Sequence, residues 1–117
     1  MRVAFLAIGD ELLIGESREA NAAVLAEALR GHGLRIDEVR IVRDALEPVG
    51  RALAELAETP TLVICSGGLG PTDDDGTRHG VAAAARVALE HRPQVEALLV
   101  ERCRSRGRAF AASNRRQ

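Results

Sequence analysis

Read by hydrophobic period alone, the chain falls into three short apolar strands separated by segments of helical spacing. Val3–Ile8 is an unbroken apolar run closed by Gly9, the pattern of a strand buried on both faces. Glu19–His32 sets Ala22, Val24, Leu25, Ala28 and Leu29 at helical spacing ahead of Gly31 and Gly33, which predicts a helix with a glycine stop. Leu34–Val42 alternates Leu34, Ile36, Val39 and Ile41 with polar partners and predicts a second strand. Leu46–Glu58 puts Val49, Leu53 and Leu56 on one face of a helix that Thr59-Pro60 ends. Thr61–Cys65, compact and β-branched, predicts the third strand. A glycine-rich turn follows, then an alanine-rich helix over Thr77–Leu89 and another over Pro93–Arg106, which Pro93 can start. The tail Ala109–Gln117 is polar and basic, without strand signals.

Strands separated by helices of this length imply parallel pairing with right-handed crossovers, hence an α/β fold with a mainly parallel sheet. Ligands of such sheets bind beyond the carboxyl ends of the strands. The two most unusual loops, Gly9–Gly15 and Ser66–Thr77, both follow strands and should emerge on one sheet edge. In the first loop Leu12, Leu13 and Ile14 are expected to pack inward. The length of 117 residues fits one small domain over residues 1–117. Three strands are few for an open α/β sheet, so either a partner completes it or further polypeptide does.

Composition narrows the chemistry. With aromatic residues at 2%, only Phe5 and Phe110, the core must be aliphatic and no stacking platform for single-stranded nucleic acid exists. Every basic residue is arginine, so no lysine serves a phosphate. A net charge of −1 gives no general attraction to nucleic acid. Cys65 and Cys103 lack metal-ligand spacing and read as free, mostly buried thiols in a reducing compartment. No leader pattern opens the chain and no apolar run is long enough for a membrane span, which predicts a cytoplasmic protein.

The chemistry concentrates in Ser66-Gly67-Gly68-Leu69-Gly70-Pro71-Thr72-Asp73-Asp74-Asp75-Gly76-Thr77. Glycines directly after a buried strand let the backbone turn sharply and approach a ligand. Ser66, Thr72 and Thr77 add hydroxyls, and the helix that follows offers N–H groups and a positive dipole end, a combination suited to a phosphate. Three successive aspartates repel one another and any phosphate unless a cation joins them; oxygen-only ligands favour Mg²⁺ or Mn²⁺ over zinc. The alternative is a set of solvated aspartates, one of them a helix cap. Asp10 and Glu11 either share that metal or cap a turn. Asp44 either caps the Leu46–Glu58 helix, the simpler reading for an isolated Asp, or reaches the site past a strand end. Asn21 either contacts a ligand or caps its helix. His79 reads as an exposed helix residue and Arg102–Arg108 as a solvated face.

Ile8-Gly9-Asp10-Glu11-Leu12-Leu13-Ile14-Gly15, Asn21-Ala22, Gly67-Gly68-Leu69-Gly70-Pro71-Thr72 with Asp74-Asp75 and Thr77, and Asn114-Arg115-Arg116-Gln117 together resemble the molybdopterin-binding domain superfamily. Within it they are most similar to the N-terminal domain of the competence/damage-inducible protein A (CinA) family. That resemblance implies a three-layer α/β/α fold, often a homo-oligomer, with an anionic pterin or nucleotide at the glycine-rich loop. It places ligand contacts at Gly9, Asp10, Asn21, Ser66, Gly67, Gly68, Gly70, Thr72, Asp74 and Thr77. Asp75 matches the acid that adenylyl-transferring relatives use with a metal, and Glu11 and Asp44 match acidic positions of the wider superfamily's site. Domains of this type are associated with cleavage of ADP-ribose dependent on a divalent metal (Mg²⁺, Mn²⁺ or Co²⁺). Adenylylation of molybdopterin and ligand binding without turnover are the alternatives. The chain departs from the pattern at Asp73, where basic or neutral residues are common, and at Gly76, where an apolar residue is usual and glycine predicts a looser helix start. It also ends where domains of this kind continue into further strands and a helix.

Overall fold

The computed structural model describes residues 1–70 and 76–116. Along the chain it shows β1 (Arg2–Ile8), α1 (Asp10–Leu13), α2 (Asn21–Arg30), β2 (Glu38–Val42), α3 (Leu46–Leu56), β3 (Thr61–Ser66), α4 (Thr77–Ala85), α5 (Pro93–Ser105) and a 3₁₀ turn at Ala112–Arg116. The strands form one parallel sheet in the order β2-β1-β3, with Phe5 registered against Val39 on one side and Ile64 on the other. The expected parallel α/β architecture is present.

Central position explains β1. Flanked on both sides and covered on both faces, Val3–Ile8 is at most 2% exposed at every residue, so an uninterrupted apolar run is what the site demands. Leu6 and Ile8 face Val49, Ala52 and Leu53 of α3, with Val42, Val63 and Cys65 packed alongside. The α3 residues recur at three- and four-residue spacing, and burying each large aliphatic one contributes about 1.5–3 kcal/mol. The crossover from β1 to β2 and the one from β2 back over β1 to β3 run in opposite directions. With right-handed connections, their helices therefore cover opposite faces of the sheet, which makes the three layers.

Helix α4 docks through α3, and Gly80 allows it. A Cβ on Gly80 would lie 2.5 Å from Val49 Cγ1, so the close approach of the helices depends on that glycine.

Several boundaries differ from the sequence pattern, each for a local reason. Strand β2 begins at Glu38, not Leu34. Asp37 donates its N–H to the Val3 carbonyl (2.8 Å) and accepts the Val3 N–H on its carboxylate (2.9 Å), closing the turn before the regular ladder starts. Helix α2 begins at Asn21 because the Glu19 carboxylate accepts the N–H groups of Asn21 and Ala22. Helix α4 stops at Ala85 instead of Leu89: Arg86 takes the left-handed conformation, φ 56°, and Val87 donates back to the Ala82 carbonyl. The Gly9–Gly15 segment contains the single turn α1, and its apolar residues do not all pack inward. Leu13 is 51% and Ile14 67% exposed. Among the described residues no helix is long and apolar enough to cross a membrane.

Candidate functional site

The carboxyl ends of β1, β2 and β3 are tied together by short hydrogen bonds. Gly9 donates its N–H to the Val42 carbonyl (3.1 Å), carrying the β1–β2 pairing one residue past the strand. Asp10 then accepts the Asp44 N–H on its carboxylate (3.0 Å) and lies 3.6 Å from the Arg43 guanidinium. Glu11 folds back over Gly9, so closely that a Cβ on Gly9 would sit 2.5 Å from Glu11 Oε1.

Beyond β3 the backbone turns through Gly67 and Gly68, both with positive φ, 96° and 61°. A Cβ on Gly67 would lie 1.9 Å from the Ile8 carbonyl oxygen. The bends after Ile8 and after Cys65 thus press against each other on one rim of the sheet. Thr77, opening α4, donates its hydroxyl to the Gly67 carbonyl (2.8 Å), and Gly76 donates its N–H to Asp44 Oδ1 (2.8 Å). The Asp44 carboxylate and Thr77 hydroxyl enclose Gly68, whose Cβ position is 2.7 and 2.2 Å from them.

Asp44 therefore does not cap α3, the simpler sequence reading. The N-cap of α3 is Ala45, with no side-chain cap, and the Asp44 carboxylate braces the start of α4 instead. Gly76 does not loosen that start either. It is buried, and a Cβ there would meet Ala45 C at 2.7 Å, so an apolar side chain does not fit this packing.

On the other side of the rim Asn21, first residue of α2, donates its amide N–H to the Ser66 hydroxyl (2.9 Å). Between these walls opens a cavity of about 240 Å³ lined by Ile8, Glu11, Arg18, Asn21, Ser66 and Gly67, among others. It lies where the connections after β1 and β3 part toward opposite faces of the sheet, the switch in strand order at which open α/β sheets bind ligands. Larger cavities lie elsewhere, between α4 and α5 and beside β2.

Of the residues singled out from the sequence, Glu11, Asn21, Ser66 and Gly67 line this cavity. Gly9 shapes it by accommodating Glu11, while Asp44, Gly68 and Thr77 form the adjoining brace and Asp10 holds the Arg43-Asp44 turn. Gly70 is half-buried at the end of the described part of the turn. Thr72, Asp74 and Asp75, with Asp73, lie outside the described residues. Among the described residues no group of three or more His, Cys, Asp or Glu side chains could hold a metal ion. The Ser17–Glu19 wall of the cavity was not apparent from the sequence. Its one local signal is Glu19, two residues ahead of Asn21, in a capping position. Cys65 and Cys103 are free and half-buried, and desolvation pushes the Cys65 thiol up, keeping it protonated and a poor nucleophile.

Residues 4–111 match a protein family described as a probable molybdopterin binding domain. A CinA-like protein of Synechococcus sp. is 46% identical over 112 residues, covering 96% of this chain and 27% of that protein. One from Frankia casuarinae is 41% identical over 108 residues, covering 92% and 25%. The chain thus spans about a quarter of the length of these curated relatives. Among solved structures, CinA of Thermoplasma acidophilum, described as of unknown function, superposes with a TM-score of 0.85 at 28% identity. That match covers 98% of this chain and 67% of the other. The molybdopterin biosynthesis Mog protein of Mycobacterium ulcerans superposes with a TM-score of 0.62 at 28% identity, over 70% of this chain and 54% of its own.

Proposed function

The chain belongs to the family of probable molybdopterin binding domains, and from that premise we propose that it binds a phosphorylated nucleotide or pterin in the crevice beyond β1 and β3. The observation that carries the reading is the convergence of two bends on one cavity, which the Gly67 backbone lines together with Glu11, Asn21 and Ser66. Without lysine, phosphate oxygens there would be held by backbone N–H groups, hydroxyls, arginine or a metal.

We extend the proposal to hydrolysis of ADP-ribose. Glu11 and Asp44 are oxygen donors, a chemistry that suits Mg²⁺, Mn²⁺ or Co²⁺, and Asp75, joined to the Gly76 that Asp44 holds, would complete the set. The metal would supply charge neutralisation at the phosphoryl oxygens. Water adds to one phosphorus, the P–O bond to the bridging oxygen breaks, and that oxygen leaves with a proton, yielding AMP and ribose 5-phosphate. The Gly67 backbone would lie against the diphosphate, and the Asn21–Ser66 hydrogen bond fixes the opposite wall. The likeness to the Mog protein favours a second reading, molybdopterin as ligand with adenylylation in place of hydrolysis. A homo-oligomer belongs to the same proposal, since the outer strands β2 and β3 each pair on one side only among the described residues.

Calorimetry with ADP-ribose and with molybdopterin tests the binding, and AMP release tests the hydrolysis. ADP-ribose is expected to bind and to release AMP only with a divalent metal. Turnover confined to molybdopterin plus ATP selects the second reading, and binding of neither ligand refutes both. Asp75→Asn is expected to abolish metal-dependent turnover with an unchanged unfolding midpoint; an equally active variant removes Asp75 from the metal site.

A further inference from the structure

We infer, on the reading that the crevice takes a phosphorylated nucleotide or pterin, that Arg18 receives the phosphate and selects such a ligand over its unphosphorylated counterpart. Among the described residues Arg18 is the one cation that lines the crevice, in a chain without lysine. It has no hydrogen bond or ion pair among those residues, so its guanidinium is free for a ligand. Its neighbours in the chain are fixed. Ser17 donates its N–H to the Glu11 carbonyl (3.1 Å), and the Glu19 carboxylate accepts the N–H groups of Asn21 (2.6 Å) and Ala22 (3.1 Å). The guanidinium therefore extends from backbone held at the crevice wall, and the entropy lost on engaging a ligand is confined to its own side chain.

The Ser66 hydroxyl supplies a second donor to the same cavity. It accepts the Asn21 amide N–H, which leaves its own hydrogen to donate. A guanidinium fork and a hydroxyl donor in one cavity suit an oxyanion, since phosphate oxygens accept from both. The two lining acids decide how that phosphate arrives. Glu19 is engaged at the start of α2, Glu11 lies against Gly9, and neither pairs with Arg18, so the lining carries one negative charge in excess. A phosphate therefore enters together with a divalent cation, which Glu11 serves in that reading, and Arg18 remains for the phosphate oxygens.

The test is calorimetry on the 117-residue chain in Mg²⁺ with ADP-ribose, molybdopterin and adenosine, for the parent, Arg18→Gln and Arg102→Gln. Arg102, exposed on α5 and outside the crevice, gives the same change of net charge without the contact. Whichever phosphorylated ligand binds the parent should lose about tenfold or more in affinity in Arg18→Gln and keep it in Arg102→Gln. Adenosine should bind more weakly than that ligand, and equally to the parent and Arg18→Gln. Arginine side-chain NMR of the parent should show the Arg18 Nε–H shifting as the phosphorylated ligand saturates. Unchanged affinity in Arg18→Gln, equal losses in both variants, or an Arg18 resonance that does not respond overturns the role of Arg18 and leaves the crevice reading standing. Adenosine bound as tightly as the phosphorylated ligand overturns the selection in the same way. A parent that binds neither ADP-ribose nor molybdopterin overturns the crevice reading and the role of Arg18 together.

Discussion

Replacing Gly68 with alanine separates the two roles a glycine can have in this turn. Gly68 has φ 61°, so any side chain there meets the left-handed penalty of about 1–2 kcal/mol. Its Cβ would also fall 2.2 Å from Thr77 Oγ1 and 2.7 Å from Asp44 Oδ1. Relief requires both side chains to move. The Thr77 hydroxyl then loses the Gly67 carbonyl, a neutral bond of about 0.5–1.5 kcal/mol, and Asp44 loses the Gly76 N–H, a charge-assisted bond of about 1.5–3 kcal/mol. Gly15, φ 82° with nothing among the described residues within 4 Å of its Cβ position, supplies the control, since Gly15→Ala incurs only the left-handed penalty. Gly68→Ala should therefore be less stable than Gly15→Ala by roughly 2–4 kcal/mol. In urea that difference lowers the unfolding midpoint by about 1–2 M more. In a Thr77→Ala background the excess should shrink, because one of the two obstructions is gone. Equal midpoints for the two alanine variants would show that Asp44 and Thr77 do not enclose Gly68, and the brace would have to be discarded.

Two further outcomes probe the scaffold that holds the crevice. Gly80→Ala should destabilise by about 1–3 kcal/mol through overpacking against Val49, although alanine is the better helix former, and Val49→Ala in the same chain should restore part of the loss; a stabilised Gly80→Ala would mean that α3 and α4 do not approach as described. The Val3 N–H holds the Asp37 carboxyl below its usual range, and the Arg40 guanidinium does the same for Glu38. Their contribution is thus complete above the ordinary carboxylate range near pH ~4 and lost as pH falls through the lower folded-state values. Urea midpoints measured from pH 7 down to pH 3 should show a smaller acid loss for Asp37→Asn than for the parent, and identical losses would contradict the Asp37–Val3 bond.

What the sequence disclosed depended on the range of the forces involved. The β1 run was legible because Val3–Ile8 is buried on every side, so each position had to be apolar. The α3 stripe was legible because one face alone meets the sheet. The end of α4 was not, since an alanine run carries no stop signal and Arg86, the residue in the left-handed conformation, is an ordinary helix former. Asp44 misled for a tertiary reason: a cap two residues ahead of α3 is the local expectation, whereas the N–H it accepts belongs to Gly76, which only the fold brings near. The Ser17–Glu19 wall was hidden because it depends on where the single turn of α1 delivers the chain.

The position of the crevice follows from a constraint stronger than any of its residues. A strand paired on both sides can send its two neighbours' crossovers to opposite faces only if the chain parts at its carboxyl end, and β1 is that strand. Gly67 then closes the base of the gap, since its contact with the Ile8 carbonyl oxygen leaves no room for a side chain. Asn21 and Ser66 bind the two diverging walls to each other across it. The lining of that gap mixes polar groups, among them Ser66, Asn21, Arg18 and the Gly67 backbone, with Ile8 and Leu12. Those polar groups favour a hydrogen-bonding ligand such as a phosphate, because an apolar ligand would strip water from Ser66, Asn21 and the Gly67 backbone without replacing those bonds.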